Sequence, residues 1–350
     1  MRADASFEIA GRPVGRGAPC FLIAEAGVNH NGDLDLALGL VDAAASAGAD
    51  AVKFQSFRAE RLVTAWAPKA GYQQRNTGAG GSQLEMLRRL ELTDEQHRKI
   101  AARCAEKGVL FLSTPFDEER ADFLAGVGVP AFKVSSGDLT NTPFLEHLAR
   151  KGLPVLLSTG MGTLEETRGA VQALSGVPGL AVLHCVSRYP ADPAEANLRA
   201  METIRRTLRV PVGYSDHTEG ALVALASVAM GACVLEKHIT LDRALPGPDH
   251  RASLEPAELA ELVRGVRIVE QAFGHGRKEP VPGEKETAAV ARRSLVAACE
   301  LPAGTLLAPQ HLAVRRPGTG ISPGMRDRLL GRKLKVALAE GALIHWEMVE

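Results

Sequence analysis

Residues 210–238, VPVGYSDHTEGALVALASVAMGACVLEKH, hold the unit on which the fold turns. A short apolar run, Val210–Gly213, ends in Ser215, Asp216 and His217. ALVALASVAMG then places apolar residues at helical spacing and closes on a glycine, as is usual just past a helix C-terminus. A second apolar run, Cys233–Glu236, ends in Glu236, Lys237 and His238. Strand, helix and strand in this order make a parallel crossover unit. Polar groups at a strand mouth are awkward for packing and useful if something binds there.

The unit recurs along the chain. Further strand candidates are Cys20–Ala24, Ala51–Gln55, Val109–Ser113, Ala131–Val134, Pro154–Ser158 and Ala181–Cys185, separated by patterns such as LDLALGLVDAAASAG and DEQHRKIAARCAEKG. Eight runs, each followed by a helical pattern, predict an α/β fold, a (β/α)8 TIM barrel of about 280 residues. A doubly wound sheet is the alternative, but it usually has fewer strands and a Gly-rich phosphate loop, absent here. GRKEPVPGEKETAAVARRS (276–294) breaks the rhythm with prolines and charges. The boundaries read as a barrel over 1–280, a linker over 281–291 and a small β-rich module over 292–350. The loop from Arg58 to Gly81 is long for a compact barrel, and RNTGAGGSQ within it suggests mobility; such loops are more often functional than idle.

Formal net charge is zero, from 41 basic and 41 acidic residues, with no basic stripe, so nucleic acid and anionic membrane are poor partners. MRADASFEIAGRPVG shows no apolar signal region. The longest uncharged apolar run, Ala221 to Leu235, falls short of the ~20 residues a membrane span needs. Five cysteines, scattered singly, fit a reducing cytoplasm rather than a disulfide framework.

In such barrels chemistry sits where strands end. Those ends carry Glu25, then Asn29 and His30; Lys53 and Gln55; Thr114; Lys133, Ser136 and Asp138; Ser158; His184, Ser187 and Tyr189; Ser215, Asp216 and His217; and Glu236, Lys237 and His238. Adjacent parallel strands lie ~4.8 Å apart, so His217 and His238 at matching heights can share a divalent metal, or they are hydrogen-bonded structural histidines. A closed zinc site lacks thiolates. Lys53 and Lys133 interrupt apolar strands, where an ammonium is costly without an anion. With Ser136, Ser158 and Ser215 they suit a phosphate or carboxylate, unless Glu25 and Glu236 already pair with them; a Schiff-base lysine is a further possibility. Glu25 suits acid/base work, since apolar neighbours raise its pKa, or it forms an ion pair with Lys53 or Lys237. Asp249, in PGPDH, grips a hydroxyl-rich ligand or forms a plain Asx-turn.

Together these residues resemble the sialic acid synthase family of the N-acetylneuraminate and legionaminate type, enzymes that condense phosphoenolpyruvate to make nine-carbon sugar acids. The blocks are IAEAGVNHNGD (23–33), AVKFQ (51–55), SQLEMLRRLEL (82–92), STPFD (113–117), FKVSSGDLTNTPFL (132–145), LSTGM (157–161), GYSDHTEG (213–220) and LEKHITLDRALPGPDHRASLEP (235–256). The tail, from RRSLVAACELPAGTLL through RRPGTG, resembles that family's antifreeze-like SAF module. The resemblance implies that His217 and His238 hold Mn2+ or Mg2+, which polarises the open-chain sugar aldehyde. Lys53, Thr114, Lys133, Ser136, Ser158, Ser187 and Ser215 would cradle phosphoenolpyruvate, and Glu25 and Asp138 would handle protons. Gln55, Asn76, Tyr189 and Asp249 would line the sugar pocket. Arg316 would reach the sugar's N-acyl group in another subunit's barrel, making a domain-swapped homodimer.

Two departures stand out: SGD where many members read SGE, which shortens Asp138 by a methylene, and HCVSRYP, where Arg188 either alters substrate preference or faces solvent. Condensation needs a Lewis acid at the aldehyde, carboxylates beside the carbon that turns cationic, and cations around the leaving phosphate. Each demand has a candidate residue; Ser215 would serve phosphoenolpyruvate, His217 the metal, and Asp216 would orient a ligand. The alternatives are a related synthase that uses an aldose phosphate to make a 3-deoxy-ulosonate, and a non-catalytic sugar- or ice-binding protein. Among acceptors, N-acetylmannosamine, its 6-phosphate and 2,4-diacetamido-2,4,6-trideoxymannose stay open.

Overall fold

The computed structural model describes residues 6–77 and 80–350. The first five residues of the amino-terminal stretch, and Gly78 and Ala79 of RNTGAGGSQ, lie outside the described residues. The chain forms two compact units, 1–274 and 275–350.

The first unit opens with a hairpin, β1 (Phe7–Ile9) and β2 (Arg12–Val14), followed by eight parallel strands. These are β3 (Phe21–Gly27), β4 (Ala51–Ser56), β5 (Leu110–Pro115), β6 (Phe132–Val134), β7 (Val155–Ser158), β8 (Leu180–Cys185), β9 (Val212–Asp216) and β10 (Val234–His238). The ladder runs β5-β4-β3-β10-β9-β8-β7-β6, and its ends, β5 and β6, lie side by side without a hydrogen-bonded ladder. This is the predicted barrel, nearly closed. Helices between strands start on capping side chains, including Asp33, Thr93, Asp117 and Thr163. Three of them stop at Gly48, Gly108 and Gly128, whose φ of 83°, 70° and 92° suits glycine.

Alternation along each strand sorts the side chains. Outward residues such as Leu22, Val52, Phe132, Val182 and Tyr214 pack under the helices. Inward residues at the strand starts, among them Phe21, Ile23, Leu112, Leu156, Leu183 and Val234, fill the lower interior together with Ile9 and Val14 of the hairpin. Two residues further along the same inward row the chemistry changes. Ile23 gives way to Glu25, Ala51 to Lys53, Leu112 to Thr114, Ala131 to Lys133, Leu156 to Ser158 and Val234 to Glu236. The strands also run one to three residues past several expected ends. Pairing continues through Glu25 opposite Lys53, Ser215 opposite Glu236, and His238 opposite Glu25, so these groups sit on the rigid ladder.

Gly213 is needed by this packing. A Cβ there would fall 2.5 Å from the Val234 carbonyl oxygen and 2.8 Å from its Cβ. Gly213→Ala is therefore expected to cost at least about 1–3 kcal/mol, read from urea unfolding. An unchanged midpoint would show that β9 and β10 can separate there at little cost.

The loop from Arg58 to Gly81 is partly helical, with helices Ala59–Leu62 and Gly71–Thr77, and a third, Gln83–Arg88, just beyond it. The last begins with a reciprocal Ser82–Glu85 capping box, which explains its stability despite its length.

In the second unit, β11 (Ser294–Ala297) and β12 (Leu312–Arg315) pair antiparallel, around a core that includes Leu295, Leu307, Leu329, Ile344 and Val349. A helix, Glu284–Ala291, occupies most of the stretch read as a linker. None of its residues is buried, so its Ala-, Glu- and Lys-rich composition favours helix where no apolar stripe announced one. Among the described residues, no helix is long and apolar enough to cross a membrane.

Candidate active site

A cavity of about 430 Å³ opens at the C-terminal end of the barrel. Its lining includes thirteen of the residues singled out from sequence: Glu25, Lys53, Gln55, Thr114, Lys133, Ser136, Ser158, Ser187, Tyr189, Ser215, His217, His238 and Asp249.

Its floor is a charge cluster. Lys53 Nζ lies 3.0 Å from Glu25 and 3.4 Å from Glu236 and donates to Thr114 Oγ1 at 3.0 Å. Lys133 Nζ donates to Ser158 Oγ at 2.6 Å and lies 3.8 Å from Glu236. Ser215 Oγ donates to Glu236 at 2.9 Å. Both lysines are thus matched by barrel carboxylates, as one reading of the sequence allowed. The environment drives those carboxylates apart. Burial pushes Glu25 up to about 7 despite the pull of Lys53, with Glu236 adding to the rise. Burial acts on Glu236 too, but Lys133 and Lys53 outweigh it and hold that carboxyl at about 2. Burial lowers Lys133, whereas Glu236 and Glu25 overcome it at Lys53 and raise that ammonium.

Above the floor, the rings of His217 and His238 lie 5.5 Å apart at 60°. Burial lowers both below the ordinary histidine range, most strongly His238, which His217 also disfavours as a cation. Neutral imidazole is the metal-binding form. His217 Nδ1 donates to the Val186 carbonyl at 2.6 Å, leaving Nε2 its lone pair. His238 Nδ1 is buried with no hydrogen-bond partner. The pair therefore fits a divalent ion. Among the described residues no third His, Cys, Asp or Glu completes a closed set, so water or substrate would supply the remaining positions.

One side of the cavity is made by an absent side chain. A Cβ at Gly160 would fall 2.1 Å from Ser187 Oγ and 2.9 Å from Ser136 Oγ, so glycine admits both hydroxyls. Asp249 lines the opposite side with Oδ1 unpartnered. Burial pushes its carboxyl up to about 7 from an ordinary 3.8. Stability from the neutral acid is then full below about pH 4 and lost as pH rises through 7, by roughly 4 kcal/mol at most. Asp249→Asn is expected to flatten the fall in Tm between pH 5 and pH 8; a fall as steep as the parent's would place the cause elsewhere.

Three expected site residues lie elsewhere. Asp138, on the 3-10 turn Ser136–Asp138, accepts from Asn141 Nδ2 at 3.2 Å and does not line the cavity. Asn76 donates to the Pro248 carbonyl at 2.6 Å and lines a neighbouring cavity. Arg316 belongs to the second unit and is exposed. Asp216, expected to orient a ligand, points outward between β9 and the helices, because alternation puts it opposite in sense to Ser215 and His217; it pairs with Lys237 at 2.7 Å. Asn29 and His30 are buried away from the cavity, His184 faces the Ala196 carbonyl at 2.9 Å, and exposed Arg188 pairs with Glu195. Sequence reasoning named Glu236 only as an alternative partner of the two lysines, without a role in the reaction, and missed Tyr72 and Gln73. Glu236 had a signal, its place on the inward row two residues before His238; Tyr72 and Gln73 had only their place in the long loop from Arg58 to Gly81.

A nearly closed (β/α)8 barrel with buried lysines, carboxylates and two neutral imidazoles converging at its C-terminal end defines a barrel enzyme. Residues 40–278 match the NeuB family and residues 292–350 the SAF domain. The chain is 45% identical to an N,N'-diacetyllegionaminic acid synthase of Legionella pneumophila, covering 97% of each. It is 39% identical to the N-acetylneuraminate-9-phosphate synthase of Homo sapiens, covering 97% of this chain and 95% of that one. The crystal structure of an N-acetylneuraminic acid synthetase from Leptospira borgpetersenii, in complex with citrate, superposes with a TM-score of 0.73 at 36% identity, covering 81% of this chain and 95% of that chain. The chain belongs to the NeuB family.

Proposed function

We propose that this enzyme condenses phosphoenolpyruvate with the open-chain aldehyde of an N-acyl mannosamine-type sugar, giving a nonulosonic (sialic-type) acid and inorganic phosphate. The observation that carries this is the joining of two systems in one cavity: a Lys53–Lys133 floor and the His217–His238 pair above it. Relatives named as legionaminic and N-acetylneuraminate-9-phosphate synthases support it.

Lys53 with Thr114, and Lys133 with Ser158, present two cationic hydrogen-bonding sites suited to a carboxylate and a phosphate. Ser136, Ser187 and Ser215 add neutral donors. An Mn2+ or Mg2+ ion on His217 and His238 would polarise the acceptor's carbonyl. Carbon C3 of the enol phosphate bonds to the aldehyde carbon, the aldehyde oxygen takes a proton, water adds at C2, and phosphate leaves by C–O cleavage. Glu25, poised near neutrality, is placed to exchange the proton, while ionised Glu236 stabilises positive charge. Purified enzyme with Mn2+ should release phosphate only when both substrates are present. Release without acceptor, or none with any mannosamine-type acceptor, would reject the reading.

The proposal includes a cytoplasmic, domain-swapped homodimer in which Arg316 of the partner subunit meets the N-acyl group. Arg316→Ala is then expected to raise the acceptor's KM about tenfold or more while changing that of phosphoenolpyruvate by less than twofold, since an interaction with a charged group is worth roughly 1.5–3 kcal/mol. Equal effects on both substrates would refute the swapped contact.

A further inference from the structure

The stretch HCVSRYP (184–190) carries a thiol, Cys185, that the reaction proposed above does not use. Leu183 fills the lower interior, so alternation turns Cys185 inward two residues later, directly opposite Ser215 across β8 and β9. Cys185 is buried and lines the cavity, and its sulfur lies 3.2 Å from Ser136 Oγ. Ser136 depends on such neighbours. It stands on the 3-10 turn Ser136–Asp138, past the end of a three-residue strand, where no ladder fixes it. Its hydroxyl oxygen accepts the Gly160 backbone N–H at 2.9 Å. A Cβ at Gly160 would fall 3.0 Å from the Cys185 sulfur as well as against both serine hydroxyls, so glycine lets all three groups meet.

A serine hydroxyl has one proton to give and two lone pairs to fill. Gly160 fills one of those lone pairs, and the thiol can meet the hydroxyl in two ways. If the serine donates to sulfur, its proton is spent inside the protein. If the thiol donates to the serine, both lone pairs are filled and the proton is left for the cavity. Sulfur is a weak acceptor and a bound anion a strong one, so an anion in the cavity favours the second arrangement. Lys133 and Ser158, on the two strands that lead into Ser136 and Gly160, supply the charge for such an anion. An occupant is called for independently: His238 Nδ1 and Asp249 Oδ1, on side chains 4% and 7% exposed that line the same cavity, have no hydrogen-bond partner. We propose that Cys185 is a positioning residue, whose S–H donates to Ser136 Oγ and so turns the Ser136 proton toward an anionic substrate. This rests on the synthase reading above, in which that substrate is phosphoenolpyruvate.

The test is steady-state phosphate release by the full chain with Mn2+, each substrate varied in turn. Cys185→Ala should raise the KM for phosphoenolpyruvate about three- to tenfold, the worth of one hydrogen bond, and change the acceptor's KM by less than twofold. Cys185→Ser keeps a small donor and should return most of that loss. Because Cys185 acts through Ser136, Cys185→Ala should add less than twofold to the KM of Ser136→Ala. KM is a property of the folded molecules, so partial unfolding of a variant does not imitate these shifts. A KM for phosphoenolpyruvate that falls or stays unchanged in Cys185→Ala would show the serine donating to sulfur, or no coupling, and overturns the proposal. So does an effect that persists in full on the Ser136→Ala background, as a packing role would give. Either result leaves the synthase reading standing, whereas no release by the parent enzyme with any mannosamine-type acceptor takes down both.

Discussion

His217→Ala is expected to lower phosphate release by more than about 100-fold while the protein still melts cooperatively near the parent's Tm. Loss of a residue that only supports a metal ligand commonly costs 10–100-fold, so loss of a ligand itself should exceed that. His217 contributes little else that is structural: a hydrogen bond to the Val186 carbonyl, a long 3.5 Å contact of Nε2 with Ser215 Oγ, and ring contacts with Tyr189 and His238. His238→Ala should behave the same way, because its Nδ1 has no protein partner to lose. Dialysis against EDTA should silence the parent enzyme and added Mn2+ should restore it, whereas neither alanine variant should recover at the same metal concentration. Full turnover after chelation, or a variant that keeps a tenth or more of parental activity, would remove the metal role from this pair.

That pair was readable before any coordinates because each histidine closes an apolar run, and sequential strands of a barrel are neighbours. The eight strands were legible for the same reason, a rhythm of short apolar runs and helical patterns. Three things were not. Where a strand stops cannot be read once its inward row turns polar: ending β9 at Gly213 made Asp216 look like a ligand group, whereas the ladder continues and alternation turns it outward. Glu236 is central because Lys53, Lys133 and Ser215 converge on it from three other strands, a property of barrel closure rather than of local sequence. The contact of Tyr72 with Tyr189 joins a loop helix to a distant strand end. A residue-by-residue reading carries no trace of it.

The outward pair also yields a stability prediction of the largest size. Asp216 and Lys237 are 0% and 1% exposed, and the ammonium donates to Asp216 Oδ2 at 2.7 Å and to the Thr218 carbonyl at 2.5 Å. Asp216 Oδ1 accepts from the Thr218 backbone N–H at 3.0 Å and from its hydroxyl at 2.9 Å. Asp216→Ala strands a buried ammonium, and breaking such a pair typically costs 3–5 kcal/mol. Burial already lowers Lys237 despite Asp216, so without that carboxylate part of the cost would be met by deprotonation, and the single variant should lose stability most at low pH. Asp216→Leu with Lys237→Met replaces both charges by hydrocarbon and should recover most of the loss in urea unfolding at pH 7. A single variant within about 1 kcal/mol of the parent would show that solvent reaches the pair. A double variant no better than the single would put the cost in the lost Thr218 bonds instead. The pair lies directly opposite across β9 and β10, one residue from both His217 and His238. The contact ties β9 to β10 next to the two imidazoles, and the folded fraction of Asp216→Ala is expected to show weakened Mn2+ binding even where its secondary structure is intact.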